Sequence, residues 1–134
     1  MKLKRYISIL AITCALAFSL SITKAYANTP TQVRLTPDEY SDVTELRWYN
    51  AGQKIRVNYE SYDSSVRGFT LDLGLKWPDA LHYDALKSVW VPMGTNYTGF
   101  DYTVPASGYY LVKLHCNGDG SKNGCNAWAS MDDY

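Results

Sequence analysis

From residue 44 onward, apolar and polar residues alternate along most of the chain, the period-2 signature of half-buried β-strands. Thr44, Leu46 and Trp48 alternate with Glu45 and Arg47, and Ile55, Val57 and Tyr59 alternate with Lys54, Arg56, Asn58 and Glu60. Asn50-Ala51-Gly52-Gln53 between them reads as a turn, so the two runs are expected to pair as a hairpin with one apolar face. The sharpest alternation puts Phe69, Leu71, Leu73, Leu75 and Trp77 on one face and Thr70, Asp72, Gly74 and Lys76 on the other, which predicts a central core strand. Residues 78–87 support a short helix capped by Asp79, or a structured loop. A strand over 88–91 stops at Pro92, a turn over 93–96 follows, and Phe100, Tyr102 and Val104 alternate up to Pro105. After the turn 106–108, Tyr110, Val112 and Leu114 face inward on a further strand, and a last one spans about 125–131. Seven to eight short antiparallel strands predict an all-β protein, a β-sandwich or jelly roll.

Residues 1–27 do not belong to that pattern. Lys2, Lys4 and Arg5 precede an apolar run over 7–22, Lys24 closes it, and Ala25-Tyr26-Ala27 offers small residues at the −3 and −1 positions of a cleavage site. That order is the secretory signal-peptide plan. The run is shorter than the ~20 residues that span a bilayer, so a permanent anchor is disfavoured. A lipoprotein cut before Cys14 would leave half the apolar run on the mature protein. The expected product is a secreted single domain, 28–134, without stable membrane insertion.

Cleavage changes the charge and the cysteine count. The full chain balances 13 basic against 13 acidic residues. Losing Lys2, Lys4, Arg5 and Lys24 leaves nine basic against thirteen acidic, a net charge of −4. An acidic chain is ill suited to a polyanion, which argues against nucleic acid as a partner. Cys14 also leaves, so Cys116 and Cys125 remain as a pair in an oxidising compartment. They flank a polar stretch, 117–124, with three glycines and two asparagines, read here as a hairpin loop closed by a disulfide across the last two strands. The spacing is not the Cys-x-x-Cys of a redox-active pair, so the bond is expected to be structural.

Catalytic signatures are sparse. Asn117, Asp119, Ser121 and Asn123 sit at alternate positions, a spacing calcium ligands can take, but one carboxylate is too few for a six- to eight-oxygen site, and neither metal nor cofactor is expected. No nucleophile elbow, zinc-binding helix or phosphate-binding loop is present. His82 and His115, or one of them with Glu60, are the candidates for acid–base work in a secreted nuclease or other hydrolase, yet nothing in their spacing forces them together.

The aromatics say more. After cleavage the chain keeps ten Tyr, four Trp and two Phe. Trp48, Phe69, Trp77 and Tyr110 sit on apolar strand faces and are assigned to the core. Tyr62, Tyr83, Trp90, Tyr97 and Tyr109 fall in loops, at strand ends or on polar faces, where half-exposed aromatic rings serve binding. The alternative is that these rings brace loops with their hydroxyls satisfied.

From Gly52 to Met131 the order of features resembles the bacterial pre-peptidase C-terminal domain. The resemblance rests on Gly52-Gln53 before a strand, on the Asp/Leu alternation Leu71-Asp72-Leu73-Gly74-Leu75, and on Pro105-Ala106-Ser107-Gly108-Tyr109-Tyr110. Thr70 stands where that family often has a further Asp, which weakens a cation site there. The resemblance implies a jelly-roll-like β-sandwich and a non-catalytic module that binds a surface, polymer or partner. The leading expectation is therefore a secreted bacterial binding module recognising a glycan or cell-surface partner through Tyr62, Tyr83, Trp90 and Tyr97. A small secreted antibacterial toxin or antagonist is the alternative, and a secreted hydrolase the third. Oligomeric state is not legible.

Overall fold

The computed structural model describes residues 30–62, 65, 67–78, 82–116 and 124–133. The expected export signal, 1–27, and residues 117–123, where a hairpin loop was expected, lie outside these. Nine strands are present among the described residues, in chain order β1 Thr31–Leu35, β2 Ser41–Val43, β3 Arg47–Tyr49, β4 Lys54–Ser61, β5 Phe69–Lys76, β6 Tyr83–Val91, β7 Thr98–Thr103, β8 Gly108–Cys116 and β9 Ala127–Asp133. They form two antiparallel sheets. The first runs β1-β9-β4-β7; the second runs β2-β8-β5-β6, with β3 also pairing β8. The protein is an all-β sandwich, as the alternation predicts.

Each inner face presents every second residue to one core. Val33, Leu35, Ile55, Val57, Ala129 and Met131 come from the first sheet, and Phe69, Leu71, Leu73, Tyr110, Val112 and Leu114 from the second, all buried. β5 is the central strand expected of it, hydrogen-bonded to β6 on one side and β8 on the other. β1 and β2 were not anticipated, although Val33 and Leu35 point inward as a period of two requires.

Four expectations are corrected. The hairpin between 44–48 and 54–60 does not form: β3 pairs β8, whereas β4 pairs β7 and β9. The turn at 50–53 instead carries the chain from one sheet to the other. Gly52 supplies the positive φ (88°) that the corner needs, and it donates to the Val104 carbonyl at 2.8 Å. Second, Trp48 and Trp77 are not core residues; both are about half exposed. Only one of the neighbours Trp48 and Tyr49 can face inward on a strand, and the structure buries Tyr49, against Tyr110. Trp77 lies beyond the last paired residue of β5 and just before Pro78. Third, the described part of 78–87 is no helix, because β6 starts at Tyr83; 79–81 lie outside the described residues. Fourth, β8 and β9 belong to different sheets, so the cysteines do not close a hairpin. Cys116, at the end of β8, is bonded to Cys125, two residues before β9, and the disulfide ties the two sheets together.

The short motifs behind the family resemblance meet in space. Ser107 Oγ accepts from the Ala51 amide at 2.9 Å, and the Tyr110 hydroxyl donates to the Ala106 carbonyl at 2.6 Å. The Gly-Gln corner and the Ser-Gly turn thus brace one end of the sandwich, beside the surface described next.

Candidate binding face

The register of the second sheet fixes which side chains share its outer face. Thr70, Asp72, Gly74 and Lys76 of β5 lie beside His115, Lys113, Leu111 and Tyr109 of β8. On the far side of β5, Trp90, Ser88, Ala85 and Tyr83 of β6 continue the rows, across a bulge between Leu73 and Gly74. Val43 extends the Lys113 row and Trp48 the Tyr109 row.

A polar knot anchors the middle of this face. Asp72 is almost fully buried; its Oδ1 accepts from Ser88 Oγ at 2.6 Å and its Oδ2 from the Tyr83 hydroxyl at 3.0 Å. His115 Nε2 stands 3.6 Å from the same Oδ2. Burial, and then the hydrogen bond and charge of Asp72, push the Tyr83 phenol up to about 12. The Tyr83 ring lies across Gly74, where any Cβ would collide with it, so the glycine lets the tyrosine lie flat on the sheet. Ser88 and His115 both turn to one carboxylate, whereas a nucleophilic serine needs the imidazole itself as its base. His82 lies just before Tyr83, level with Lys76, while His115 is level with Thr70. Six residues of extended strand separate those levels, about 20 Å, too far for a shared proton transfer. Among the described residues no group of His, Cys, Asp and Glu is arranged to hold a metal ion.

Two cavities open beside the knot. The larger, about 380 Å³, has Val43, Leu46, Leu111 and Tyr83 as apolar walls and Lys76, Lys113 and His82 among its polar ones. The smaller, about 140 Å³, lies between Trp48, Tyr109 and Trp77, with Leu75 and Gly108 beneath; Lys76 lines both. Trp48 meets Tyr109 edge to face at 5.1 Å. Each indole N–H is taken up by a neighbour: Trp48 Nε1 donates to Asn50 Oδ1 at 3.2 Å and Trp77 Nε1 to Asp84 Oδ2 at 2.6 Å. Val43, Leu46, Trp48, Trp77 and Tyr109 are each 43–52% exposed, so one face carries a run of large, half-bare apolar side chains. The outer face of the first sheet is unlike it, dominated by Arg56, Asn58, Asp101, Ser130 and Asp132 hydrogen-bonded to one another.

By its fold this chain is similar to a periplasmic inhibitor of g-type lysozyme, PliG, from Aeromonas hydrophila, with a TM-score of 0.51 and 14% identity over 81% of this chain and 91% of that one. It is also similar to the pre-peptidase C-terminal domain of collagenase from Bacillus anthracis, with a TM-score of 0.44 and 14% identity over 78% of this chain and 89% of that one. The likeness is one of fold. No protein-family model matches the chain, and no curated protein matches it by sequence. The domain whose motifs the sequence resembles is thus among the solved structures it is similar to.

The four aromatics singled out from sequence do not converge. Tyr83 walls the larger cavity. Trp90 is on the same face but seven residues further along β6, about 23 Å away, over Gly68. Tyr97 stacks on Trp128 of the first sheet at 6.1 Å, and Tyr62 lies under the Arg34 guanidinium at 5.0 Å. Of the residues that do cluster, Trp77 was missed as a surface group because the alternation runs one residue past β5, Leu46 and Trp48 because the phase of 44–48 points them inward whereas the structure buries Tyr49, and Val43 because no strand was read before residue 44. Two signals bear on them in retrospect: the adjacent aromatic pair Trp48-Tyr49, and Pro78 directly after Trp77.

Proposed function

We propose that the protein is a secreted, non-catalytic binding module that presents the outer face of the second sheet to an extracellular or cell-surface ligand. Residues 1–27 act as the export signal, and 28–134 as one domain. Exposed apolar groups scattered singly are ordinary, but a contiguous patch beside a cavity marks an interaction site. The run of Val43, Leu46, Trp48, Trp77 and Tyr109 carries this reading. Export into an oxidising compartment agrees with the Cys116–Cys125 bond. The Aeromonas protein of similar fold is an inhibitor, a function exercised by binding. Tyr83 and Trp90 belong to the proposed surface, whereas Tyr62 and Tyr97 stand with the first sheet and supply the comparison.

Co-sedimentation of the secreted protein with washed bacterial envelopes tests this. Retention should fall at least about tenfold in Trp48→Ala and in Trp77→Ala, since buried aromatic anchors dominate interfaces, and should be unchanged in Tyr97→Ala. Loss in Tyr97→Ala with full retention in the two tryptophan variants would move the site to the other sheet. Equal retention in all three variants would remove the proposed face.

A further inference from the structure

We propose that Lys87 keeps the open edge of the second sheet from pairing with a second copy of this chain. Replacing it with an apolar side chain of similar length would then turn a single-chain protein into a dimer joined through β6. This goes beyond the binding face and does not depend on it.

An edge strand offers a row of unpaired backbone N–H and C=O groups to any strand that can lie beside it. Among the described residues, β1 and β7 bound the first sheet, and β2, β3 and β6 the second. β2 and β3 are three residues long, β1 five and β7 six, whereas β6 runs for nine. β6 is therefore the edge most open to another chain, and its last residues, Val89-Trp90-Val91, have strong β-propensity. Behind it the core is incompletely sealed. The hydrophobic residues only partly buried against the core, Tyr59, Leu86, Val89, Phe100 and Tyr102, come from β4, β6 and β7. A strand added to β6 would cover part of that apolar surface, a gain that favours association.

Lys87 stands in the way. Its register with Leu73, a core residue, turns it to the inner side of β6. There its ammonium lies over the Phe100 ring of β7, 4.1 Å from the centroid, and spans the gap between the two sheets. Leu86, which has no partner on β5 at the bulge, packs against the core beside it. The carboxylates of β6 and β7 serve other groups: Asp84 Oδ2 accepts from the Trp77 indole, and Asp101 Oδ1 from Arg56. A charge on the inner side of an edge strand is tolerated while water reaches it, and a neighbouring strand would cover it.

Self-pairing meets a further obstacle. When all nine residues of β6 lie antiparallel to the same nine of a second copy, Tyr83 stands opposite Val91, and Lys87 stands opposite Lys87 on the two-fold axis. The two ammonium groups would meet mid-ladder on one side of the sheet, where like charges directly opposite each other are destabilising. Sliding to another register shortens the ladder and still encloses both lysines.

Sedimentation equilibrium of the purified protein, beside Lys87→Met and Lys87→Arg, tests the proposal. Methionine has an unbranched stem and can rest its sulfur on Phe100, whereas arginine keeps the charge. The parent and Lys87→Arg should have the mass of one chain. Lys87→Met should dimerise at least about tenfold more tightly than the parent, with amide exchange across 83–91 slowing as concentration rises. A parent that already self-associates, or a Lys87→Met mass equal to the parent's at every concentration, would overturn the proposal. So would dimerisation of Lys87→Met with the slowed amides elsewhere. If Lys87→Met melts well below the parent, Lys87→Gln, which removes the charge and stays polar, takes its place under the same criteria.

Discussion

Replacing Phe69 with alanine should lower the unfolding free energy by about 3–5 kcal/mol, the range for truncating a buried phenylalanine. Phe69 is fully buried at the start of β5, in register with Val91 of β6 on one side and Cys116 of β8 on the other. Neighbours held by two ladders of backbone hydrogen bonds and a disulfide have little freedom to close the void, which places the cost high in that range. Urea unfolding of the two proteins measures it. A loss below about 1 kcal/mol would mean that β5 is not the centre of the sandwich. Trp48→Ala provides the contrast, since that side chain is half exposed and packs edge to face on Tyr109. Its cost should stay below about 1.5 kcal/mol. The binding variants should therefore remain folded under conditions in which Phe69→Ala is close to unfolding.

Removing the Cys116–Cys125 bond should have the next largest effect. The cysteines are nine residues apart, and closing a loop of that size removes about 2.7 kcal/mol of chain entropy from the unfolded state. The native state around the bond is otherwise well tied. The Cys116 amide donates to the Tyr40 carbonyl, the Tyr62 amide to the Asn126 carbonyl, and the Asn126 amide to Ser65 Oγ. These hydrogen bonds hold both cysteines in place without the bond, so the effect should come from the unfolded chain rather than from a rearranged fold. For a domain of this size the loss corresponds to a melting midpoint lower by roughly 10–20 °C. The double variant Cys116→Ser, Cys125→Ser, compared with the oxidised parent by differential scanning calorimetry, reads this directly. An unchanged midpoint would show that the bond contributes nothing to the stability of the fold.

Alternation carries different amounts of information at different levels. It marks which side of a strand is buried, and for β5 and β8 it does so residue by residue: Phe69, Leu71, Leu73, Tyr110, Val112 and Leu114 are all in the core. It does not say which sheet a strand joins, because both inner faces pack on the same core and look alike in sequence. That is why the segments on either side of the 50–53 turn read as a hairpin although the turn crosses between layers. The same ambiguity made Cys116 and Cys125 look like partners across one sheet when they link two. Strand ends are the weakest point, since a pattern read one position past the last paired residue turns a surface tryptophan into a core one. Trp77 is such a case, whereas Trp48, paired with Tyr109 inside β3, is read as inward because the alternation takes the wrong one of two adjacent aromatics; together they line the smaller cavity. The four aromatics chosen from sequence were picked for lying outside the apolar pattern. That criterion finds exposed rings, but it cannot tell whether they lie on one face or two.

The four tryptophans report on that question directly, because Trp48, Trp77 and Trp90 are on the outer face of the second sheet and Trp128 is on the first. Hydroxyl-radical footprinting of the purified protein, free and mixed with washed bacterial envelopes, measures the reactivity of each ring in turn. Trp48 and Trp77 should become several-fold less reactive on binding while Trp128 keeps its free-state value. Protection of Trp128 with Trp48 and Trp77 unchanged would contradict the placement of the binding face on the second sheet.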